Sequence, residues 1–271
     1  SVALAETADA VGARLEGGRI VLHAAGDTLL EGSAVVSADN AAGKGGAVRV
    51  LGDRVGLFDT AKVSAGGTAG GGEILVGGDA HGANPEVRNA TVAYVAPGAT
   101  LDASATRAGD GGKVVVWAED TARVFGALTA RGAAIGNDSG AGGFVETSGK
   151  RFLDVAGIRV DAAGAGDGKA GTWLLDPYNI EVVAGAGTAN NGGAPAFTPG
   201  GDNSQVGADL IVALLDAGTS VTLNTAGAGS QAGNIVINAP IVKSANNSAG
   251  LTLTADNDIT VNQSVSLSTN N

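Results

Sequence analysis

Cysteine and methionine are absent from this 271-residue chain, histidine occurs twice, and proline only six times. Without cysteine, neither a disulfide framework nor a zinc–thiolate cluster can form. Aromatic residues make up 3 % of the chain and charged residues 16 %, which suits a narrow interior better than a broad globular core. No apolar run approaches the ~18 residues of a membrane-spanning helix; the longest near-candidate, 210–215, has six. Positive charge is also scarce, with 16 Lys and Arg against 27 Asp and Glu, a net charge of −11. Phosphate backbones and anionic membrane surfaces both require clustered Lys and Arg, so neither nucleic acid nor membrane insertion is expected. The lack of methionine and of a recognisable leader at Ser1 leads us to expect a piece of a longer protein, with targeting information outside it.

Glycine, by contrast, fills 46 positions. It lacks the every-third-residue period of collagen. A hydrophobic fraction of 44 % and a mean hydropathy of +0.19 argue against disorder. Much of the glycine belongs to an internal repeat. Gly17-Gly18-Arg19-Ile20-Val21-Leu22 returns as Gly45-Gly46-Ala47-Val48-Arg49-Val50, as Gly71-Gly72-Glu73-Ile74-Leu75-Val76 and as Gly111-Gly112-Lys113-Val114-Val115-Val116. Degenerate copies are Gly142-Gly143-Phe144-Val145-Glu146-Thr147 and Ala170-Gly171-Thr172-Trp173-Leu174-Leu175. The starts lie 28, 26, 40, 31 and 28 residues apart. A second element follows each of the first five copies: Val36-Ser37-Ala38, Val63-Ser64-Ala65, Leu101-Asp102-Ala103, Leu128-Thr129-Ala130 and Val160-Asp161-Ala162. An inserted loop at 79–92, containing Asn84-Pro85-Glu86, accounts both for the 40-residue interval and for the late position of Leu101.

Period-two alternation marks these segments as strands. Three inward columns are predicted: Ile20, Val48, Ile74, Val114, Val145 and Trp173; Leu22, Val50, Val76, Val116, Thr147 and Leu175; and Val36, Val63, Leu101, Leu128 and Val160. Arg19, Arg49, Glu73, Lys113, Glu146, Ser37, Asp102 and Asp161 should point outward. No single repeat can bury its own apolar face, so the repeats must stack into a continuous core. An all-β parallel solenoid follows over 1–183, with glycine serving tight corners through positive φ or close backbone approach. At 184–203 the register breaks into a Gly, Ala, Asn and Pro-rich linker. A short helix is predicted over 205–217, capped by Asp202, Asn203 or Ser204, burying Val206, Leu210, Ala213 and Leu214, and ended by Gly218. Strands resume within 204–271: Ile235-Val236-Ile237-Asn238 repeats as Ile259-Thr260-Val261-Asn262, preceded by Val221-Thr222-Leu223 and Leu251-Thr252-Leu253. Asn238 and Asn262 align, and are expected to form an amide ladder.

The ordered set Gly111 to Ala118, Gly142 to Lys150, and Gly171-Thr172-Trp173-Leu174-Leu175-Asp176-Pro177, with Tyr94-Val95-Ala96-Pro97-Gly98-Ala99 before it, resembles the large filamentous-haemagglutinin-like exoproteins of Gram-negative two-partner secretion systems. The resemblance is strongest over 45–183. It implies a right-handed parallel β-helix, export through an outer-membrane transporter, and extracellular or cell-surface residence. Adhesion, biofilm or toxin delivery would be the work of the parent protein, with surface or matrix glycans and proteins as partners. The family's transporter-recognition motif, Asn-Pro-Asn-Gly, is missing; Asn84-Pro85-Glu86 is not a copy of it. The chain therefore resembles the shaft beyond that domain, and bare strand edges at its ends would favour self-association into fibres.

No cofactor and no catalytic or metal residues are expected. His23 and His81 read as surface residues. Asp53, Asp59, Asp102, Asp120, Asp154 and Asp161 read as turn formers, although a carboxylate pair among them would suit a β-helical polysaccharide-processing enzyme. Calcium-binding nonapeptide repeats are absent. Gly109-Asp110-Gly111-Gly112 lacks the Lys-Ser/Thr and following helix of a phosphate loop. Trp173 belongs to an inward column. Trp117 follows the inward Val116, so it is expected on the outer face, where an indole could stack on a sugar as in a carbohydrate-binding module. It is the one candidate glycan contact.

Overall fold

The computed structural model describes residues 13–16, 18–185, 187 and 195–268. Residues 186 and 188–194, in the expected linker, lie outside the described residues. The chain is mostly β, and successive short strands visit three faces in turn. After each circuit, the next strand pairs with its counterpart from the circuit before. The first face is a nine-stranded sheet in the order Ala13–Glu16, Arg19–His23, Ala47–Leu51, Glu73–Val76, Lys113–Ala118, Phe144–Gly149, Gly171–Leu175, Thr219–Asn224 and Leu251–Thr254. Only its first pair is antiparallel. A second nine-stranded sheet runs from Asp27–Leu30 to Ile259–Val261, and a five-stranded sheet from Val35–Ser37 to Arg159–Asp161. These long parallel sheets are consistent with a β-solenoid.

The register follows the repeat. Ile20, Val48, Ile74, Val114, Val145 and Trp173 are successive Cα partners. So are Val36, Val63, Leu101, Leu128 and Val160. All are buried within one continuous apolar core running the length of the stack. Trp173 fills this core, and its indole N–H donates to Thr147 Oγ1 at 3.0 Å, so the single polar residue of the second column serves the largest core side chain. The expected amide ladder is present at the far end: Asn262 donates to Asn238 Oδ1 at 2.8 Å, and Asn238 to Glu181 Oε1 at 2.5 Å.

Glycine pairs set the corner between the third face and the next circuit. None of Gly45, Gly46, Gly71, Gly72, Gly111, Gly112, Gly142 or Gly143 has a positive φ. What they provide is close approach. A Cβ on Gly71, Gly111 or Gly142 would lie 1.8–2.0 Å from the carbonyl oxygen of Ala103, Ala130 or Ala162. The second glycine of each pair donates its N–H to a different alanine carbonyl, the one that precedes the pair: Gly72 to Ala65, Gly112 to Ala103 and Gly143 to Ala130, at 2.7–2.8 Å. Ala65, Ala103, Ala130 and Ala162, whose carbonyls meet these glycines, are themselves fully buried.

The order changes once. Ser204–Gly207 enters the second sheet between Phe152–Asp154 and Ile180–Val183, ahead of its place in sequence. This corrects the expected helix over 205–217. Gln205 and Val206 pair in a ladder with Glu181 and Val182, and the helix occupies only Ala208–Asp216. Gly207 is its N-cap, and makes no side-chain cap bond, in place of Asp202, Asn203 or Ser204. The buried face is also shifted, to Ala208, Ile211, Leu214 and Leu215. Ala213 is exposed and Val206 is buried from the strand. Gly218, at φ +89°, follows the helix. The helix holds the chain position that a third-face strand holds in other circuits. Asp216 then accepts hydrogen bonds from the backbone N–H groups of Ser244 and Ala245, both at 2.8 Å, beside the strand Ile241–Lys243.

Gly111→Ala should destabilise the fold by about 1–3 kcal/mol, the usual cost of forcing atoms into a filled site. Gly26→Ala, where an added Cβ meets nothing within 4 Å, should be neutral or slightly stabilising. Urea unfolding of the two variants measures the difference; equal stabilities would refute the close-approach account.

Candidate functional site

The insertion at 79–92 leaves the first face after Glu73–Val76 and rejoins the second at Val92–Val95. Between them it lies over the outer side of the first face. Outward-pointing Leu51, Leu75, Val115 and Trp117 would otherwise meet water; with Val87 of the insertion they form a second apolar cluster. Trp117 is 0 % exposed. The expectation of a sugar-stacking indole is therefore corrected: Trp117 does project from the outer side, but the insertion covers it. Gly82, at φ +60°, rests so closely on the indole that a Cβ there would come within 2.3 Å of the ring. Trp117 Nε1 and Asn89 Oδ1 are buried under this cover without hydrogen-bond partners.

Polar contacts hold the insertion down. Asp79 pairs with Lys113 and accepts from Asn84 Nδ2 at 2.8 Å. Burial alone would raise the Asp79 carboxyl, but the hydrogen bonds from Lys113, Asn84 and the Ala80 N–H hold it below the ordinary carboxylate range. Asn89 donates to the Gly82 carbonyl at 2.9 Å, and Arg88 to the Ala24 carbonyl at 3.0 Å.

At one end of this cover lies a cluster that the sequence analysis did not assemble. His81 sits in the short 3-10 turn Ala80–Gly82 with φ +55°, a region that non-glycine residues rarely occupy. Its backbone N–H donates to Glu146 Oε1 and Oε2 at 3.1 and 3.3 Å, and its ring Nδ1 lies 2.9 Å from Asp176 Oδ2. Glu146 was expected to point outward into solvent. It does project from the outer side, but the insertion covers it, and it is 0 % exposed. Ser148 Oγ donates to Glu146 Oε1 at 3.0 Å, and Asn224 Nδ2 to Asp176 Oδ1 at 2.9 Å. Desolvation pushes the Glu146 carboxyl above its ordinary range, against the hydrogen bonds from His81 and Ser148, and the neighbouring Asp176 charge adds to the rise. One ligand atom from each of His81, Glu146 and Asp176 falls within 4.8 Å of the others. Imidazole and carboxylate are the donor types of a divalent-metal site.

The aspartates considered for a carbohydrate-processing site are engaged locally. Asp102, Asp154 and Asp161 each accept from the backbone N–H two residues on, at 2.9–3.2 Å, the turn role read from their chemistry. Asp59 accepts from Gly32 N–H at 2.9 Å and Asp53 from Thr91 Oγ1 at 3.0 Å. Asp120 pairs with Arg151, which also donates to the Gly200 carbonyl at 2.6 Å and so ties the segment before Ser204 to the second face. Phe197 in that segment meets Phe58 edge-on at 5.9 Å and lies under the Arg54 guanidinium at 5.1 Å. Arg123, 2 % exposed, lies 5.5 Å from the Phe152 ring centroid, and its guanidinium nitrogens make no hydrogen bond among the described residues. His23 is exposed at its strand end.

A signal for the covered patch was present in the sequence. Leu75, Val115 and Trp117 alternate with the inward columns, so an apolar outer strip occurs in the same circuits that carry the insertion. The His81–Glu146–Asp176 contacts span 65 and 95 residues, and no local pattern announces them. No protein-family model and no curated protein matches the chain.

Trp117→Ala should cost about 3–5 kcal/mol and expose 79–92 to proteolysis; denaturant titration and limited digestion measure both effects. The Asp120 carboxyl is held below its ordinary range by Arg151 and Thr121, against the desolvation that would raise it. Its contribution is therefore present above the unfolded-state pKa and lost as pH falls through the lower folded-state value. For this partly exposed pair it should not exceed about 1 kcal/mol. Asp120→Asn should flatten the acid limb of stability against pH by that amount in urea titrations; an unchanged limb would remove the pair from the account.

Proposed function

We propose that this chain is a structural and interaction protein: a right-handed parallel β-helical shaft from a filamentous-haemagglutinin-like exoprotein of a Gram-negative bacterium. The observation that carries this reading is the unbroken stacking of like residues. The inward columns pair circuit upon circuit around one continuous apolar core, while the outer side carries polar residues, turns and two segments that cover its large side chains. Such a stack is stiff and extends by repetition, which suits a rod that holds binding surfaces away from a cell.

In this reading the parent chain leaves the cell through an outer-membrane transporter and stays on the surface or in the medium. Its loops meet surface or matrix glycans and proteins, and no reaction is assigned to it. End-to-end association of such shafts is part of the same reading, through the strand edges at the ends of a stack. Unpaired edges template further strands, and head-to-tail contacts that do not close produce filaments.

Electron microscopy of the purified chain at physiological salt tests the proposal. Filaments with a regular axial repeat, reduced to single rods by Val261→Lys, are expected. Separate rods in both proteins would end the self-association claim and leave the shaft. Rounded particles would sink the shaft itself.

A further inference from the structure

We propose that His81, Glu146 and Asp176 bind a divalent transition-metal ion of the Zn2+ type, and that the ion clamps the inserted loop to the sheet it covers. This inference stands on the local geometry and is independent of the shaft reading.

Three observations converge. The ligand types are an imidazole and two carboxylates, with one atom from each within 4.8 Å of the others. Zn2+ takes such atoms at about 2.0–2.2 Å, which places ligands of a tetrahedral site roughly 3.3–3.6 Å apart. The imidazole Nδ1 already lies 2.9 Å from Asp176 Oδ2, and its side chain, 51 % exposed, is free to adjust toward an ion.

The charge is also unbalanced. Glu146 and Asp176 are 0 and 6 % exposed, and among the described residues neither is paired with lysine or arginine. Among the described residues, Asp176 has an ion pair with His81 alone. Two adjacent buried carboxylates against at most one imidazolium leave a net negative site, which a dication bound to the neutral imidazole would neutralise.

The carboxylates are, moreover, already oriented. Asn224 holds Asp176 Oδ1, leaving Oδ2 toward His81, and Ser148 holds Glu146 Oε1. Hydrogen bonds of this kind orient the ligands of metal sites. Calcium suits the site less well, because it takes six to eight oxygen ligands and this set supplies a nitrogen and two carboxylates. The three ligands come from the insertion, from Phe144–Gly149 and from just past Gly171–Leu175. An ion here would therefore join the loop to two successive circuits, with water completing its coordination.

The test is isothermal titration of chelator-stripped protein with ZnCl2, MnCl2 and CaCl2, alongside limited proteolysis of 79–92. One equivalent of Zn2+ is expected to bind more tightly than Ca2+ and to slow cleavage of the loop. His81→Asn keeps a residue that accepts positive φ and leaves both buried carboxylates in place. It should weaken Zn2+ binding at least about tenfold and abolish the protection, as should Asp176→Asn, while His23→Asn should bind as the parent does. Absence of saturable one-to-one Zn2+ binding, tighter binding of Ca2+, or Zn2+ binding that survives His81→Asn would each overturn the assignment.

Discussion

Each circuit turns through a corner where the backbone of one segment touches the backbone of another, and glycine pairs make that contact sterically feasible. The second glycine of a pair donates to the alanine carbonyl that ends the third-face strand before it, while the first lies so close to the corresponding alanine carbonyl of the next circuit that a methyl group would overlap it. The rest of the architecture depends on this contact. It sets the point where one circuit ends and the next begins, and hence the parallel register of every column. It also keeps the core narrow, which explains why valine, leucine, isoleucine and alanine fill it and aromatics are few.

Against this regular frame, the two departures are informative. The insertion at 79–92 and the segment before Ser204 each lie across the outside of a sheet, and each covers large side chains that the strand alternation directs outward: Trp117, Leu75 and Val115 in one case, Phe58 and Phe152 in the other. The frame is thus generic, and the individuality of the protein is concentrated in what covers it. Three of the buried groups without partners among the described residues, Trp117 Nε1, Asn89 Oδ1 and the Arg123 guanidinium, lie under or beside these covers. The buried carboxylate cluster lies at the edge of one of them.

A single turn connects the functional proposal to the metal proposal. His81 holds a left-handed backbone conformation in a loop whose other anchors are ion pairs and amide hydrogen bonds. A loop of this kind presents a defined surface to a partner only if it is held down firmly. An ion bridging the loop to two circuits would add a constraint that polar surface contacts alone supply weakly.

The strands, their inward faces and the pairing register were legible in the sequence because they rest on local alternation and on the return of the glycine-pair pattern every 26–31 residues outside the insertion. The position and length of the insertion were legible for the same reason, as a break in that spacing. The start of the helix was not, since Gln205 and Val206 are drawn into a ladder by Glu181 and Val182, a competition settled by a vacant sheet position rather than by propensity. Nor was the fate of outward side chains. Alternation states which side of a sheet Trp117 and Glu146 occupy, but only the path of residues 79–92 decides whether that side is wet. The sequence by itself thus determined the repeat, the registration and the core. Tertiary structure alone decided what is covered and that His81, Glu146 and Asp176 meet, because these contacts join residues 65 and 95 positions apart through a loop that obeys no period.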